Sequence, residues 1–291
     1  MHRSGTSLCA NILQAMGINM ADDAGVGPSN PRGHWERTRI NDLNDRVFAM
    51  FGRGWNTSAH VLAMPAQWLD DPRVAAVGRE LVAWLLPQWA TVRFGFKDPR
   101  TARLLPLWRQ VFAKLGATPR WVFCVRDPAQ VARSVSKRDR MPPQQGAYRW
   151  QIYNADAVRG VDDDPVCIIP YEHWFTRPEE TGARLAGFIG AAPPPTALLR
   201  HLIDPALRHD AIAAPAAGVL GQTLYGHILA SVQGGQFTAE LRDYCTVMAD
   251  FERAVQPLLT DMEVLRVSVI EQNRVIADLD GALRAARRGS G

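Results

Sequence analysis

RWVFCVRDPAQVARSVSKRD, residues 120–139, changes its period at the midpoint. The first half, RWVFCVRDP (120–128), carries an apolar, β-branched run of the kind buried on both faces in a parallel sheet. Arg126-Asp127-Pro128 breaks the run. After Pro128 the apolar residues Ala129, Val131, Ala132 and Val135 move to helical spacing. Strand, Pro-containing turn and helix in immediate succession are half of a βαβ unit.

The same alternation recurs along the chain. VRFGFKDPR (92–100) predicts a short strand ending in a loop, followed by a helix over TARLLPLWRQVFAKLG (101–116). DPVCIIPYEHW (164–174) predicts another buried strand, and PEETGARLAGFIG (178–190) the helix after it. Helices are also predicted over 6–17, over HWERTRINDLNDRVFAMF (34–51) after the turn-rich PSNPRG (28–33), and over RVAAVGRELVAWLLPQWA (73–90). Strands alternating with helices give an α/β class with a mostly parallel sheet flanked by helices. The alternation spans 1–203. A linker is expected over 204–234, and a helical extension over 235–291. In that extension Met262, Leu265, Val269, Gln272, Ile276, Leu279, Leu283 and Ala286 recur in steps of three and four. Such a stripe fits either a helix packed back on the domain or a short coiled coil joining a homodimer.

Composition narrows the function classes. The 291 residues carry 33 Lys and Arg against 29 Asp and Glu, net +4, which suits an anionic small molecule or a glycan but is too diffuse for nucleic acid. The four cysteines are scattered without metal-ligand spacing, so no metal site and no disulfide frame is expected. No apolar run approaches the ~20 residues that span a bilayer, and the N-terminus lacks a secretory signal pattern, which points to a cytoplasmic protein.

Two stretches carry chemistry. Arg3-Ser4-Gly5-Thr6-Ser7 stands directly before a helix, where unpaired N–H groups, small hydroxyls and the positive end of the helix dipole make an anion site. The GxxxxGK[ST] pattern of NTPases is absent. The bland alternative is a capped turn. In the second stretch Arg126 ends the buried strand and Ser134 follows eight residues on, so both can meet one phosphate at the carboxyl edge of a parallel sheet. The alternative there is an Arg126–Asp127 pair closing the strand–helix turn.

In this order HRSGTSL (2–8), FGFKDPRT (94–101), FCVRDPAQVARSVSKRD (123–139) and PYEHW (170–174) resemble the sulfotransferases that use 3′-phosphoadenosine-5′-phosphosulfate (PAPS), especially the bacterial type. The resemblance covers about residues 1–190 and implies a P-loop-like sulfotransferase fold with PAPS as co-substrate. It assigns Arg3, Ser4, Gly5, Thr6 and Ser7 to the 5′-phosphosulfate, Arg126 and Ser134 to the 3′-phosphate, and Tyr171 to the neighbourhood of the adenine. A buried core tyrosine is the alternative for the last. Lys97 falls where relatives hold a lysine near the transferred group, its alternative being a salt bridge to Asp98. Arg3 suits the leaving phosphate. Glycan-sulfating relatives take their base from the interval that here holds His34 and Glu36, of which Glu36 is preferred. The small-molecule branch uses a histidine beside the KDP-like strand, where this chain has none. Trp35, Trp55, Trp68 and Trp150 are candidates for an acceptor groove. The chain departs from the family in two places: Leu8 replaces an aromatic that stacks on adenine, and Met1 stands two residues before Arg3, where relatives have a strand entering the loop. A misassigned start, a fragment, or a sheet without its central strand would each account for the second departure. The expected function is transfer of a sulfuryl group from PAPS to a hydroxyl on a saccharide or small metabolite. The rivals are a kinase-like P-loop phosphotransferase and a non-catalytic PAP-binding assembly domain, PAP being the desulfated product.

Overall fold

A computed structural model describes the chain except residues 22–23, 28–32, 55–61, 90–92, 140, 205–220 and 290–291, and except the side chains of 263 and 280–291. The elements run α1 (Thr6–Ala15), α2 (Thr38–Met50), α3 (Pro72–Trp89), α4 (Thr101–Leu115), β1 (Trp121–Val125), α5 (Pro128–Asp139), α6 (Pro143–Val161), β2 (Val166–Pro170), α7 (His173–Thr176), α8 (Pro178–Ile189), α9 (Thr196–Leu202), α10 (Gln222–Ala230) and α11 (Ala239–Gly289). The class is mixed α/β. Among the described residues no helix is long and apolar enough to cross a membrane.

β1 and β2 pair in parallel, Trp121 opposite Val166 through Val125 opposite Pro170. Their side chains divide by the period of two. Phe123, Val125, Val166 and Ile168 enter one core with residues of α5, α6, α10 and α11. Cys124, Cys167 and Ile169 enter another with α1, α8 and α9. Three layers result, helix on sheet on helix, which is why neither strand carries polar residues. A third core joins α2, α3 and α4 through Ile40, Val47, Phe48, Leu81, Leu104 and Trp108.

The sheet is smaller than the sequence leads one to expect. Of the stretch expected as a strand, 92–100, the described residues 93–100 form no ladder. Asn19 and Phe94 make a single parallel bridge, with Asn19 N–H donating to the Arg93 carbonyl at 2.8 Å and Gly95 N–H to the Asn19 carbonyl at 3.0 Å. The segment is held instead by its aromatic rings, Phe96 lying 4.4 Å from Trp108 and Phe94 6.3 Å from Trp84, centroid to centroid. Among the described residues β1 pairs only with β2. Beside it lies a cavity of about 540 Å³ lined by Met1, Ala10, Phe94, Gly95, Phe123 and Cys124. Residues 94–97 and β1 both line this cavity, which lies between them.

Four helices, α6, α7, α9 and α10, are absent from the sequence reading. α6 packs on α4, α5 and α11 and buries Trp150, Tyr153 and Val158. α10 falls inside the stretch read as linker, yet Leu224 and Ile228 belong to the same core as β1, and Gln222 Nε2 donates to Asp127 Oδ2 at 3.1 Å. The remainder of that stretch from 205 to 220 lies outside the described residues.

Candidate anion and transfer site

The carboxyl ends of both strands meet at one point. Tyr171 N–H, first residue after β2, donates to the carbonyl of Val125, last residue of β1, at 2.7 Å. Arg126 therefore emerges beside Tyr171, its guanidinium 4.4 Å from the centre of the Tyr171 ring. The loop before α1 lies over this pair. Gly5 has φ +80°, and a Cβ there would come within 2.4 Å of Tyr171 Cδ2, so conformation and space both require glycine. Arg3 Nε donates to Ser134 Oγ at 2.8 Å, and Arg126 Nη1 approaches the Arg3 carbonyl at 3.5 Å. Stretches more than 120 residues apart in sequence thus share one surface.

Guanidinium groups cluster on this surface. Burial, then Arg138 and Arg126, hold the Arg3 guanidinium below its ordinary value. Gln130, Ser134 and Arg138 recur at i, i+4 and i+8 on α5, and Gln130 Oε1 accepts from Arg126 Nε at 2.9 Å. Ser4 Oγ is buried with no hydrogen-bond partner among the described residues. Such an oxygen beside clustered guanidiniums fits a phosphate ligand. Asp127 does close the strand–helix turn, accepting from Gln130 N–H at 3.0 Å, but it does so without pairing to Arg126.

On the other side of α1, Lys97 Nζ donates to Ser7 Oγ at 3.3 Å and forms an ion pair with Glu36 Oε1 at 2.5 Å. Asn41 Nδ2 holds the second Glu36 oxygen at 2.8 Å. The expected alternative for Lys97, a bridge to Asp98, does not form. Asp98 accepts from Arg100 Nε at 2.8 Å and from Asn44 Nδ2 at 2.8 Å. Burial pushes the Asp98 carboxyl up against the pull of those partners. Its geometry is that of a paired structural carboxylate, not of a base facing an acceptor. His34 lies within electrostatic reach of Glu36, Lys97, Arg138 and Arg3. Burial, reinforced by the three cations, keeps its imidazole below the ordinary histidine value, so it is neutral at pH 7.

All eleven residues singled out in the sequence gather here: Arg3, Ser4, Gly5, Thr6 and Ser7 at the head of α1, Arg126 and Ser134 on one side, Lys97, Glu36 and His34 on the other, and Tyr171 beneath. Of the tryptophans, Trp150 is core, its indole N–H donating to the Arg126 carbonyl at 3.0 Å. Trp35 is partly buried against the α1 side of the sheet, Trp68 lies on the α2–α3 core, and Trp55 is outside the described residues.

Three residues of the site escaped the sequence reading. Arg138 was legible as the i+4 neighbour of Ser134. Arg37 is buried, stacked 4.4 Å over Phe94, and donates through Nη2 to the Asn19 carbonyl at 2.9 Å and Asn19 Oδ1 at 2.7 Å, which fixes the backbone next to Glu36. Asn41 sits five residues beyond Glu36 and had no signal of its own. Arg3 and Trp35, which flank the site, adopt φ of 61° and 55°, each costing about 1–2 kcal/mol for a residue with a Cβ. Among the described residues no group of three His, Cys, Asp or Glu is placed to hold a metal. No family model matches the chain, and no similar curated protein or solved structure was found.

Proposed function

We propose that the chain is a PAPS-dependent sulfotransferase that esterifies a hydroxyl of a saccharide or small metabolite. One observation carries this: the Arg3–Ser134–Arg126 contacts join the loop suited to a phosphosulfate to the strand end suited to a 3′-phosphate. An adenosine 3′,5′-bisphosphate skeleton needs two anion sites separated by a nucleoside. Arg126, Ser134 and Arg138 would hold the 3′-phosphate. The backbone N–H groups of Thr6 and Ser7, with Arg3, would hold the 5′-phosphate.

Transfer breaks the bond between sulfur and the bridging phosphate oxygen and forms one between sulfur and the acceptor oxygen. Charge grows on the leaving oxygen, as in phosphoryl transfer. Lys97, resting on Ser7, is within a side-chain swing of that oxygen. When Lys97 turns to the phosphate it releases Glu36 Oε1, while Asn41 keeps Oε2 in place. The freed carboxylate oxygen takes the acceptor proton. His34, neutral at pH 7, orients the acceptor and is the alternative base. A sulfuryl group carries less charge than a phosphoryl, so cationic side chains alone serve as its electrostatic partners.

Thermal shift and calorimetry with PAP, ATP, ADP and AMP test the assignment. A clear preference for PAP is expected. A preference for ATP would favour the kinase-like phosphotransferase, and absence of binding would favour the assembly domain.

A further inference from the structure

We infer that the distal part of α11 is one strand of a parallel, two-stranded coiled coil formed with a second copy of this chain. The inference stands apart from the proposed chemistry.

α11 has two unlike parts. Up to Gln256 it is docked. Leu241, Cys245 and Ala249 are buried, Arg103 reaches Glu252 at 3.7 Å, and Gln256 exchanges hydrogen bonds with the backbone of Ala63 at 3.0 and 3.4 Å. Pro257 stands at the junction. From Thr260 to Leu279 every described side chain is exposed, so the expectation of a helix folded back on the domain is not met. Those twenty residues extend about 30 Å. A lone helix of that length is marginal in water.

The exposed face specifies its partner. With Met262 at heptad position a, the a positions are Met262, Val269 and Ile276, and the d positions Leu258, Leu265, Gln272 and Leu279. β-branched residues at a with leucine at d favour two parallel strands. In a parallel pair each d residue meets its own copy, so Gln272 meets Gln272 and the amides satisfy one another. In an antiparallel pair d faces a, and each Gln272 amide would be buried against Val269 or Ile276. Asp261 at g falls opposite Arg266 at e of the second copy, a complementary pair. Six apolar seam residues per helix, at roughly 60–120 Å² each, would bury about 700–1,400 Å², reaching the range of stable specific interfaces. Val264, Val267 and Ile270 lie off this seam. Leu283 and Ala286 continue the spacing but their side chains are outside the described residues.

Light scattering on the full chain at micromolar concentration is expected to give twice the 32.2 kDa chain mass. Leu265→Lys with Leu279→Lys should weaken self-association at least 100-fold without changing the melting temperature of a dilute sample. Orientation is read separately by Leu265→Cys and Leu279→Cys, since all four native cysteines are buried. Both variants should form disulfide-linked dimers under mild oxidation, because only a parallel, in-register pair brings each site to its own copy. Cross-linking at one site alone overturns the parallel assignment. A monomeric or tetrameric wild type, or a monomer that sediments with anionic vesicles, overturns the dimer, and these outcomes do not depend on whether the lysine variant folds.

Discussion

The two flanks of α1 both carry cations, and they treat them differently. On the Arg126 side the hydrogen bonds run to neutral oxygens, Arg3 to Ser134 Oγ and Arg126 to Gln130 Oε1, while Arg138 rests on Asp139, which Arg149 shares. On the Lys97 side carboxylates hold the cations nearest the loop, Lys97 with Glu36 and Arg100 with Asp98 and Asp45. A neutral oxygen is readily exchanged for an incoming anion. A cation already on a carboxylate gains instead from exchanging partners or moving a proton. Under the function proposed above, the first flank would bind the nucleotide and the second would carry the chemistry.

The largest expected effect falls on the second flank. Glu36→Gln keeps the contact with Asn41 and removes the proton acceptor, so turnover should fall roughly 10²–10⁴-fold with PAP affinity nearly unchanged. Full turnover in Glu36→Gln beside a dead His34→Ala would transfer the role of base to His34. On the first flank, Arg126→Ala should cost about 1.5–3 kcal/mol of PAP binding, or about 10–150-fold, with a smaller loss for AMP. Equal losses for both ligands by calorimetry would erase the contrast between the flanks.

Gly5→Ala probes the hinge between them. The left-handed φ and the Tyr171 ring together should lower stability by about 1–3 kcal/mol, read from denaturant midpoints, and loosen PAP binding with it. A smaller effect is expected from pH. The folded state holds His34 below its ordinary value, so protonation favours the unfolded chain. The resulting loss of stability is complete below the folded pKa and fades as pH rises to the unfolded value near 6.5. Over the same window the imidazolium joins Arg3 and Arg138 and should tighten PAP binding a few-fold. His34→Asn should abolish both trends. Transfer in EDTA should proceed at the untreated rate, and rescue by Mg²⁺ after a loss would point to phosphoryl chemistry.

The sequence disclosed elements whose signal is local. β1, β2, α4, α5 and α8 have abrupt changes of period at Pro or Gly; the bounds of the three helices match expectation within a residue or two, and both strands lie inside the longer stretches read for them. The head of α1 and the Arg126–Ser134 spacing were legible for the same reason. α6 was not: Gly146, Arg149, Gln151 and Asn154 are buried in it, so its pattern mixes polar with apolar on the inward face. The strand expected at 92–100 failed for a reason outside its own residues. A ladder needs a neighbour, and beside β1 there is a cavity. The partner of Lys97 was equally unreadable, because choosing Glu36 over the adjacent Asp98 depends on Arg100 and Asn44 having claimed Asp98 first.

Beneath the anion loop, Cys9 of α1 faces Cys124 of β1 across the layer boundary, with Cys167 of β2 close by, all three buried. The Cys124 thiol and burial together push the Cys9 thiol well above its usual range, so in the closed molecule it has almost no thiolate to offer a reagent. Labelling must wait for α1 to lift from the sheet. The rate at which a small disulfide reagent consumes Cys9 is therefore a clock for opening of the loop, on a timescale that static contacts do not report. A nucleotide clamped between Arg3 and Arg126 would slow that clock.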